Sequence, residues 1–418
     1  MEKNKGRATN QLTCSVMNKC GGCQFLNVKY EEQLKNKHKQ VEDLLGKYCK
    51  VEPIIGMENP YHYRNKVHAT FDTDKKGNII SGVYEAGSHR VVPIDLCLIE
   101  DKKADEIIVT IRSMLKSFKI RTYNEDTGQG LLRHVLIRTG FKSGEIMVVL
   151  VLASHIFPSK KNFIKALLKK HSEITAIVMN VNNKKTSMVL GIREQVLYGK
   201  GFIKDNLCDK EFRISPKSFY QVNPVQTEVL YKKAIELASL SGNETVIDAY
   251  CGIGTIGIIL SSYVSKVMGV ELNRDAVKDA IINAKQNNIN NIYFYNQDAG
   301  EFMEQIAQDN KTVDVVFLDP PRTGSTEQFL NSLCILNPKK VVYISCNPVT
   351  LERDLSYLTK RGYEAKSAIP VDQFPMTEHV ETVLLIEKNQ VEIRGFIDFL
   401  IKYCFYIPSY NEFEGIFI

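Results

Sequence analysis

The 418-residue sequence has no apolar run that approaches the length of a membrane span. A spanning helix needs about 18 or more consecutive residues that are nearly free of charge. The first residues, MEKNKGRATNQ, carry charge but are followed by no apolar segment, so we expect no secretory signal. No internal repeat or low-complexity segment stands out either. The sequence therefore predicts a cytoplasmic protein without a membrane partner.

Charge is distributed unevenly along the chain, although the net charge is only +6. Residues 1–215 contain 36 Lys and Arg against 23 Asp and Glu, whereas residues 216–418 contain 18 against 25. Such asymmetry indicates a basic half that faces a polyanion and a second half with another task. Lysines that only keep the protein soluble are the alternative.

The ten cysteines do not indicate a disulfide framework, because the cytosol keeps thiols reduced. Three of them lie close together near the start, as Cys14, Cys20 and Cys23. Together with one distant cysteine, such a group fits either structural zinc or an iron–sulfur cluster. A further set is interpreted as packing residues: Cys49, Cys208, Cys251, Cys334 and Cys404.

Two domains are predicted from the order of the elements. Residues 1–212 show hairpins and helices typical of an antiparallel α+β domain, with strand pairs His134–Thr139/Ile146–Leu152 and Ala176–Val181/Ser187–Leu190. A helix over about 29–48 can pack on the second domain. Residues 213–390 alternate strands and helices, which predicts a parallel, doubly wound α/β sheet. Residues 391–418 form an extension of unknown role.

A glycine-rich turn, Asp248–Gly257, follows a strand and opens a helix, and Glu271 ends the next strand. Glycines allow a ligand to approach the backbone, and a carboxylate at that place can hold ribose hydroxyls. This pattern fits a nicotinamide dinucleotide as well as S-adenosylmethionine. Two features favour the methyl donor: the turn reads Asp-Ala-Tyr-Cys-Gly, and a later strand ends in Asp319-Pro-Pro.

A further buried strand delivers Cys346 at its carboxyl end, ahead of a helix predicted to begin near Thr350. The helix dipole would favour a thiolate there. Carbon 5 of uracil becomes nucleophilic when a thiolate adds to carbon 6, and a base must later remove the carbon 5 proton. Glu381 is the candidate base, with Glu378 and His379 as competitors.

These motifs, taken in order from Cys14 to about Lys388, resemble the RNA uracil-5-methyltransferase family. They are Ser215–Asn223, Asp248–Gly257, Glu271, Asp319–Arg322, Ser345–Pro348 and His379–Glu381. The resemblance implies a class I, Rossmann-like catalytic domain in which Cys346 is the nucleophile and Glu381 the base. It also implies that S-adenosylmethionine is contacted by Gln221, Tyr250, Glu271 and Asp319, with Asp298 near the adenine. The target uracil would be contacted by Phe219 and Asp319.

The same resemblance concerns the cysteines, because Cys14, Cys20, Cys23 and Cys97 match the ligands of a [4Fe–4S] cluster in the ribosomal-RNA members. Zinc remains the alternative from the residues alone. Many members of the family carry an N-terminal β-barrel RNA-binding domain. We expect this sequence to lack that domain, since only 13 residues precede Cys14.

The substrate is therefore expected to be 23S ribosomal RNA, with tRNA as the alternative and no obligate protein partner. Phosphate contacts are predicted at Arg64–Lys66 and at Arg133–His134. Two other functions stay open at this point, a nicotinamide-dependent oxidoreductase and a non-catalytic RNA-binding iron–sulfur protein.

Overall fold

The structure is a computed structural model and describes residues 13–389. The predicted extension 391–418 lies outside these residues, as do residues 1–12. None of the helices between residues 13 and 389 is long and apolar enough to cross a bilayer.

The first half of the chain forms a seven-stranded sheet in the order β4-β3-β2-β5-β6-β7-β8 and a separate two-stranded sheet, β9 and β10. Helices α3 and α4 cover one face of the larger sheet and share its apolar core. The elements are α1 (Met17–Cys20), α2 (Tyr30–Leu45), α3 (Lys102–Leu115), α4 (Lys160–Lys170), β1 (Lys50–Val51), β2 (Lys66–Thr73), β3 (Ile79–Tyr84), β4 (Val91–Pro93), β5 (Leu132–Thr139), β6 (Ile146–Leu152), β7 (Ile174–Val181), β8 (Arg193–Tyr198), β9 (Ile203–Leu207) and β10 (Lys210–Ile214).

The antiparallel prediction for this sheet is wrong at one place, because β6 and β7 run parallel and α4 connects them. The predicted hairpin partner of β7 is also wrong, since β8 takes that position instead of residues 187–190. The side-chain amide of Asn182 donates to the carbonyl oxygens of Met188 and Val189 at 2.6 and 3.1 Å. Those carbonyl groups are thereby used by a side chain, and residues 182–192 form a loop.

The second half forms an eight-stranded sheet in the order β1-β16-β17-β15-β14-β11-β12-β13. Its parallel strands are separated by helices, which confirms the predicted doubly wound, Rossmann-like domain. The elements are α5 (Pro224–Ala238), α6 (Thr255–Leu260), α7 (Arg274–Gln286), α8 (Ala299–Gln308), α9 (Glu327–Leu336), α10 (Pro348–Thr359), β11 (Thr245–Ala249), β12 (Lys266–Val270), β13 (Ile292–Tyr295), β14 (Val315–Leu318), β15 (Lys340–Ser345), β16 (Tyr363–Val371) and β17 (Glu381–Lys388).

Helix α2 and strand β1 belong to the second sheet in space, although they precede the first domain in sequence. Strand β1 extends the sheet by pairing parallel with β16. Val41 and Leu45 of α2 are fully buried in the core of the second sheet. Lys37 of the same helix forms a buried ion pair with Asp372 at 2.6 Å. The first domain is therefore an insertion between β1 and the main part of the second domain.

Candidate active site

A cavity of about 630 Å³ opens at the carboxyl edge of the second sheet. Four adjacent parallel strands end there, and the residue directly after each one is Glu271 for β12, Tyr250 for β11, Asp319 for β14 and Cys346 for β15. Carboxyl ends of parallel strands meet at one edge of a sheet, which is where such folds bind ligands. The cavity is lined by these predicted site residues: Phe219, Gln221, Tyr250, Glu271, Asp319, Cys346 and Glu381.

The glycine-rich turn shapes one wall of this cavity. Gly254 begins α6 with φ of 82°, and a β-carbon there would lie 2.9 Å from the ring of Phe294. Glycine is therefore required for both conformation and space. The backbone N–H of Gly252 donates to the Glu271 carboxylate at 3.1 Å, which fixes this carboxylate beside the turn. Tyr250 adopts a positive φ of 62°. This conformation is strained for a residue other than glycine, and such strain often occurs at functional sites.

Asp298 is the exception among the residues predicted to contact the methyl donor, because it does not line this cavity. Its carboxylate caps α8 and accepts from the backbone N–H groups of Gly300 and Glu301 at 2.8 and 3.2 Å. A capping role accounts for the residue type at this position.

Cys346 and Glu381 come together because β17 runs antiparallel to β15. The register pairs Ser345 with Thr382, so the residue after β15 and the first residue of β17 lie side by side at the same edge. The Glu381 side chain is buried, with 3% exposure, and its Oε2 atom has no hydrogen-bond partner among residues 13–389. A buried carboxyl oxygen without a partner is costly for stability and points to a functional constraint.

Two carboxyl groups therefore share this corner of the cavity. Burial and the charge of Asp319 raise the pKa of Glu381 well above its ordinary value, while Arg322 acts in the opposite direction. Burial likewise raises the pKa of Asp319 to about 7. Because like charges oppose each other in a desolvated site, the pair holds a proton more firmly than free carboxyl groups do.

The surroundings of Cys346 favour the protonated form of its thiol. Burial raises its pKa to about 11, the carboxyl groups of Glu381 and Asp319 add to the shift, and Arg322 opposes it. The helix that follows starts at Pro348, with Asn347 as its cap. The predicted effect of the helix dipole on this thiol stays a prediction, and desolvation and two carboxyl groups act against it.

The rim of the cavity is formed by the turn that carries Phe219, whose side chain is 68% exposed. This turn is held from the first domain, where the buried guanidinium of Arg138 donates to the Ser218 carbonyl oxygen. The Asn65 amide donates to the Gln221 carbonyl oxygen at 3.1 Å. The first domain thus fixes the orientation of an exposed aromatic ring beside the cavity.

A second part of the cavity wall is formed by residues Gly21–Gln24 together with the loop 372–380. That these two segments meet at the cavity was not predicted from the sequence. The two segments are joined through Met376, whose N–H donates to the Gln33 side chain at 3.0 Å and whose carbonyl accepts from Phe25 N–H at 3.0 Å. These contacts cross 343 and 351 residues of sequence, so no local pattern indicates them.

The four predicted metal ligands, Cys14, Cys20, Cys23 and Cys97, line one small pocket of about 30 Å³. Within residues 13–389, however, no three His, Cys, Asp or Glu side chains are arranged so that they could hold a metal ion. Burial raises the pKa of Cys23 to about 11, which keeps the thiol protonated when no metal is bound. The residues share one pocket of suitable chemistry, and the cluster itself stays a prediction.

One predicted phosphate contact, Arg133–His134, is wrong. Arg133 is only 2% exposed and pairs with Glu125 at 2.7 Å, and the ring of His134 is buried beside Thr70. All the residues of β5 are buried, so both side chains are hidden from solvent. The other predicted contact differs, because Arg64 lines the catalytic cavity.

Comparison with known proteins gives a consistent result. The tRNA (uracil-5-)-methyltransferase family profile matches residues 29–389. A protein of Clostridium acetobutylicum described as an RNA methyltransferase is 44% identical over 395 residues, 93% of this chain and 85% of its own. A Halalkalibacterium halodurans protein with the same description is 43% identical over 382 residues, 90% of this chain and 83% of its own.

A solved structure is also similar, that of the Pyrococcus abyssi tRNA (uracil-54, C5)-methyltransferase in complex with S-adenosyl-L-homocysteine. It is 29% identical, has a TM-score of 0.73, and the match covers 87% of this chain and 85% of that one. A nicotinamide-dependent oxidoreductase is not supported by any of these matches. The chain belongs to the tRNA (uracil-5-)-methyltransferase family and is an S-adenosylmethionine-dependent RNA methyltransferase.

Proposed function

We propose that this protein methylates carbon 5 of a uridine in structured RNA, with Cys346 as nucleophile and Glu381 as base. The observation that carries the proposal is their juxtaposition: a cysteine at the end of β15 lies beside a buried, unpartnered carboxyl at the start of β17. Both line the cavity that Tyr250 and Glu271 also line. A nucleophile and a base within one desolvated cavity are what covalent methylation of a pyrimidine requires.

The proposed role of each residue follows from the chemistry of the ring. The Cys346 thiol gives up its proton to water, and its sulfur bonds to carbon 6 as the carbon 5–carbon 6 double bond opens, which makes carbon 5 an enolate carbon. Gln221, Tyr250 and Glu271 would hold S-adenosylmethionine, which would supply the methyl group to carbon 5 and leave as S-adenosylhomocysteine. Glu381 then removes the carbon 5 proton, and the sulfur–carbon 6 bond breaks to release 5-methyluridine and the thiolate.

The raised pKa of Glu381 suits this role, because its carboxylate then holds a proton more firmly than that of a free glutamate. Arg322 is the cation that opposes the pKa shifts of both Glu381 and Cys346. Its backbone is fixed by the Asn347 side-chain amide, which donates to the Arg322 carbonyl at 3.1 Å. We infer that Arg322 favours the anionic form of each reacting group in turn.

For the substrate, 23S ribosomal RNA is the first candidate, because the cysteine set resembles that of the ribosomal-RNA members. tRNA is the second candidate, favoured by the description of the matching Pyrococcus abyssi structure as a tRNA enzyme. Either RNA must present its uridine outside the base stack, at a cost of a few kcal/mol, for the base to enter the cavity.

The test is a covalent trap. Protein purified without oxygen is incubated with S-adenosylmethionine and RNA that contains 5-fluorouridine, and adducts are identified by mass spectrometry. Fluorine cannot leave as a proton does, so a methylated RNA should stay bonded to Cys346. An adduct with ribosomal fragments alone supports the first candidate, and one with tRNA alone supports the second. No adduct with either RNA would contradict the proposed reaction.

We further propose that Cys14, Cys20, Cys23 and Cys97 hold a [4Fe–4S] cluster, supported by their common pocket. Protein isolated without oxygen should contain about four iron and four sulfide per chain, as four thiolates hold a cubane cluster. Cys97→Ser should lower this content, whereas Cys49→Ser, in a half-buried cysteine outside the pocket, should leave it unchanged. One zinc per chain would favour the alternative metal, and neither metal would refute the site.

A further inference from the structure

The basic character of the chain is concentrated in one supersecondary unit. Residues 151–200 contain nine Lys and Arg but only two acidic residues, an excess larger than the +6 of the whole chain. This unit comprises α4, β7 and β8. It includes the parallel connection from β6 through α4 to β7, which was not predicted from the sequence. The positive surface of the first domain therefore lies at the β8 edge of its sheet.

A cleft of about 660 Å³ lies in this unit. It is formed where the parallel strands β6 and β7 end, and its walls include Ser154, His155, Lys184 and Arg193. The carboxyl ends of parallel strands are where α/β sheets bind ligands. This cleft is separate from the catalytic cavity, because no residue lines both.

The loop 182–192 beside the cleft is held firmly at its base. Arg133 donates to the carbonyl oxygens of Asn182 and Lys184 at 2.8 and 2.9 Å, although it is already paired with Glu125. The Asn180 side chain accepts from Gly191 N–H at 2.7 Å and donates to the Gly191 carbonyl at 3.0 Å. Several buried polar groups thus serve to hold one exposed loop.

Two lysines and two apolar residues of this loop point to solvent in the part of the chain that the structure describes. Lys184 and Lys185 are exposed, and their amino groups make no ion pair or hydrogen bond among residues 13–389. Met188 and Ile192 are 67% and 81% exposed, so two apolar side chains stand near these cations. Cations near exposed apolar side chains suit a ligand with phosphates and bases.

The loop is continuous with the catalytic rim. Lys217 donates to the Ile192 carbonyl oxygen at 3.0 Å, and Lys217 lies two residues before Phe219 in the same turn. A chain of nucleotides that leaves the catalytic cavity past Phe219 therefore meets this loop next.

We propose that Lys184, Lys185, Met188, Ile192 and Arg193, here called the crossover surface, bind the RNA that flanks the target uridine. The inference rests on the proposed function for the identity of its ligand. The lysines and Arg193 contact phosphates, and Met188 and Ile192 contact bases or sugars exposed beside them. Recognition is then divided between the catalytic cavity and the crossover surface.

The experiment compares two matched pairs of adjacent, exposed lysines in the first domain. Lys184→Gln/Lys185→Gln removes two cations from the crossover surface, and Lys75→Gln/Lys76→Gln removes two from the turn between β2 and β3. Binding of a ribosomal-RNA transcript and of tRNA is measured for wild type and both variants over a range of KCl concentrations. Binding of S-adenosylmethionine, expected to be equal in all three proteins, serves as the folding control.

For the RNA that binds, the slope of log affinity against log salt should fall in magnitude by about 1.5 in the Lys184/Lys185 variant, because each lost phosphate contact accounts for roughly 0.7 to 0.9. The Lys75/Lys76 variant should keep the wild-type slope, and KM for RNA should rise in the first variant alone. Equal changes in both variants, or none in either, would overturn the proposal, as would an acidic protein that binds the surface while RNA does not.

The outcomes separate this proposal from the reaction itself. If wild-type protein methylates RNA but the Lys184/Lys185 variant keeps its salt slope, the crossover surface is refuted and the proposed function stands. If wild-type protein forms no methylated adduct but the variant still loses the predicted slope, the proposed function fails and RNA binding by the surface is supported.

Discussion

Cys346→Ala is expected to lower the rate of methyl transfer by about four orders of magnitude or more, since loss of a covalent nucleophile removes the main reaction path. Without the sulfur bond at carbon 6, carbon 5 of the ring is too weakly nucleophilic to accept the methyl group. The substitution removes one half-buried side-chain atom at the edge of a cavity, so the melting temperature should change little. Turnover measured with labelled S-adenosylmethionine, beside thermal unfolding, checks both expectations.

Cys334→Ala is the matched control, because this cysteine is also half-buried but lies on α9, outside the cavity. It should retain turnover close to wild type. Wild-type turnover in the Cys346 variant would reject covalent catalysis by this residue. Equal loss in both variants would indicate that cysteine substitution harms the fold rather than the chemistry.

The pH dependence of adduct formation gives a second measurement on the same residue. Burial raises the pKa of Cys346 to about 11, so the thiol is the dominant form at neutral pH and the thiolate fraction rises about tenfold per pH unit below that value. The single-turnover rate with 5-fluorouridine RNA should therefore rise from about pH 7 to about pH 9. A flat profile over that range would mean that proton loss from Cys346 does not limit the step.

The sequence was enough to place the residues that follow the parallel strands at one edge of the sheet. Glu271, Asp319 and Cys346 each follow a short apolar run, and parallel strands bring their carboxyl ends to one edge. The antiparallel β17 reaches the same edge at its first residue instead, which places Glu381 there. The alternation of strands and helices predicts the parallel part of this arrangement, whereas the antiparallel direction of β17 was not predicted.

What could not be predicted depends on contacts between distant segments. Nothing near Met376 in sequence indicates that its backbone pairs with the segment after the cysteines. The sequence predicts a hairpin within 176–190 because the loop 182–192 contains strand-like residues. In the structure these residues are held by the Asn182 side chain, and β7 instead pairs parallel with β6 through the crossover at α4. Arg133 was misjudged because its partner, Glu125, lies outside the strand that carries it.

The choice between candidate bases illustrates what burial adds to a motif. Glu378, His379 and Glu381 are close in sequence, and each could remove a proton. Glu378 is exposed to solvent, whereas Glu381 is buried and faces Asp319 within the cavity. Burial lowers the pKa of His379, and the charge of Arg322 adds to the shift. Both effects favour the neutral imidazole, which can serve as a hydrogen-bond partner. The electrostatics favour Glu381 as the base.

Glu381→Gln should therefore stop the reaction after methyl transfer rather than before it. The amide has nearly the same shape but cannot take the carbon 5 proton, so the Cys346–RNA bond should persist on natural RNA without fluorine. Turnover is expected to fall by about 10² to 10⁴, the usual contribution of a general base. A denaturing gel should show up to one methylated adduct per chain, resistant to denaturant and absent from wild type.

Glu378→Gln is the control for this result, since it makes the same chemical change three residues away at an exposed position. It should turn over as wild type does and accumulate no adduct. If the Glu381 variant instead releases product rapidly, another group removes the proton, and Asp319, with its pKa of about 7, becomes the candidate. If the variant forms no adduct at all, Glu381 acts before carbon–sulfur bond formation, and its buried position serves to take the proton of the Cys346 thiol.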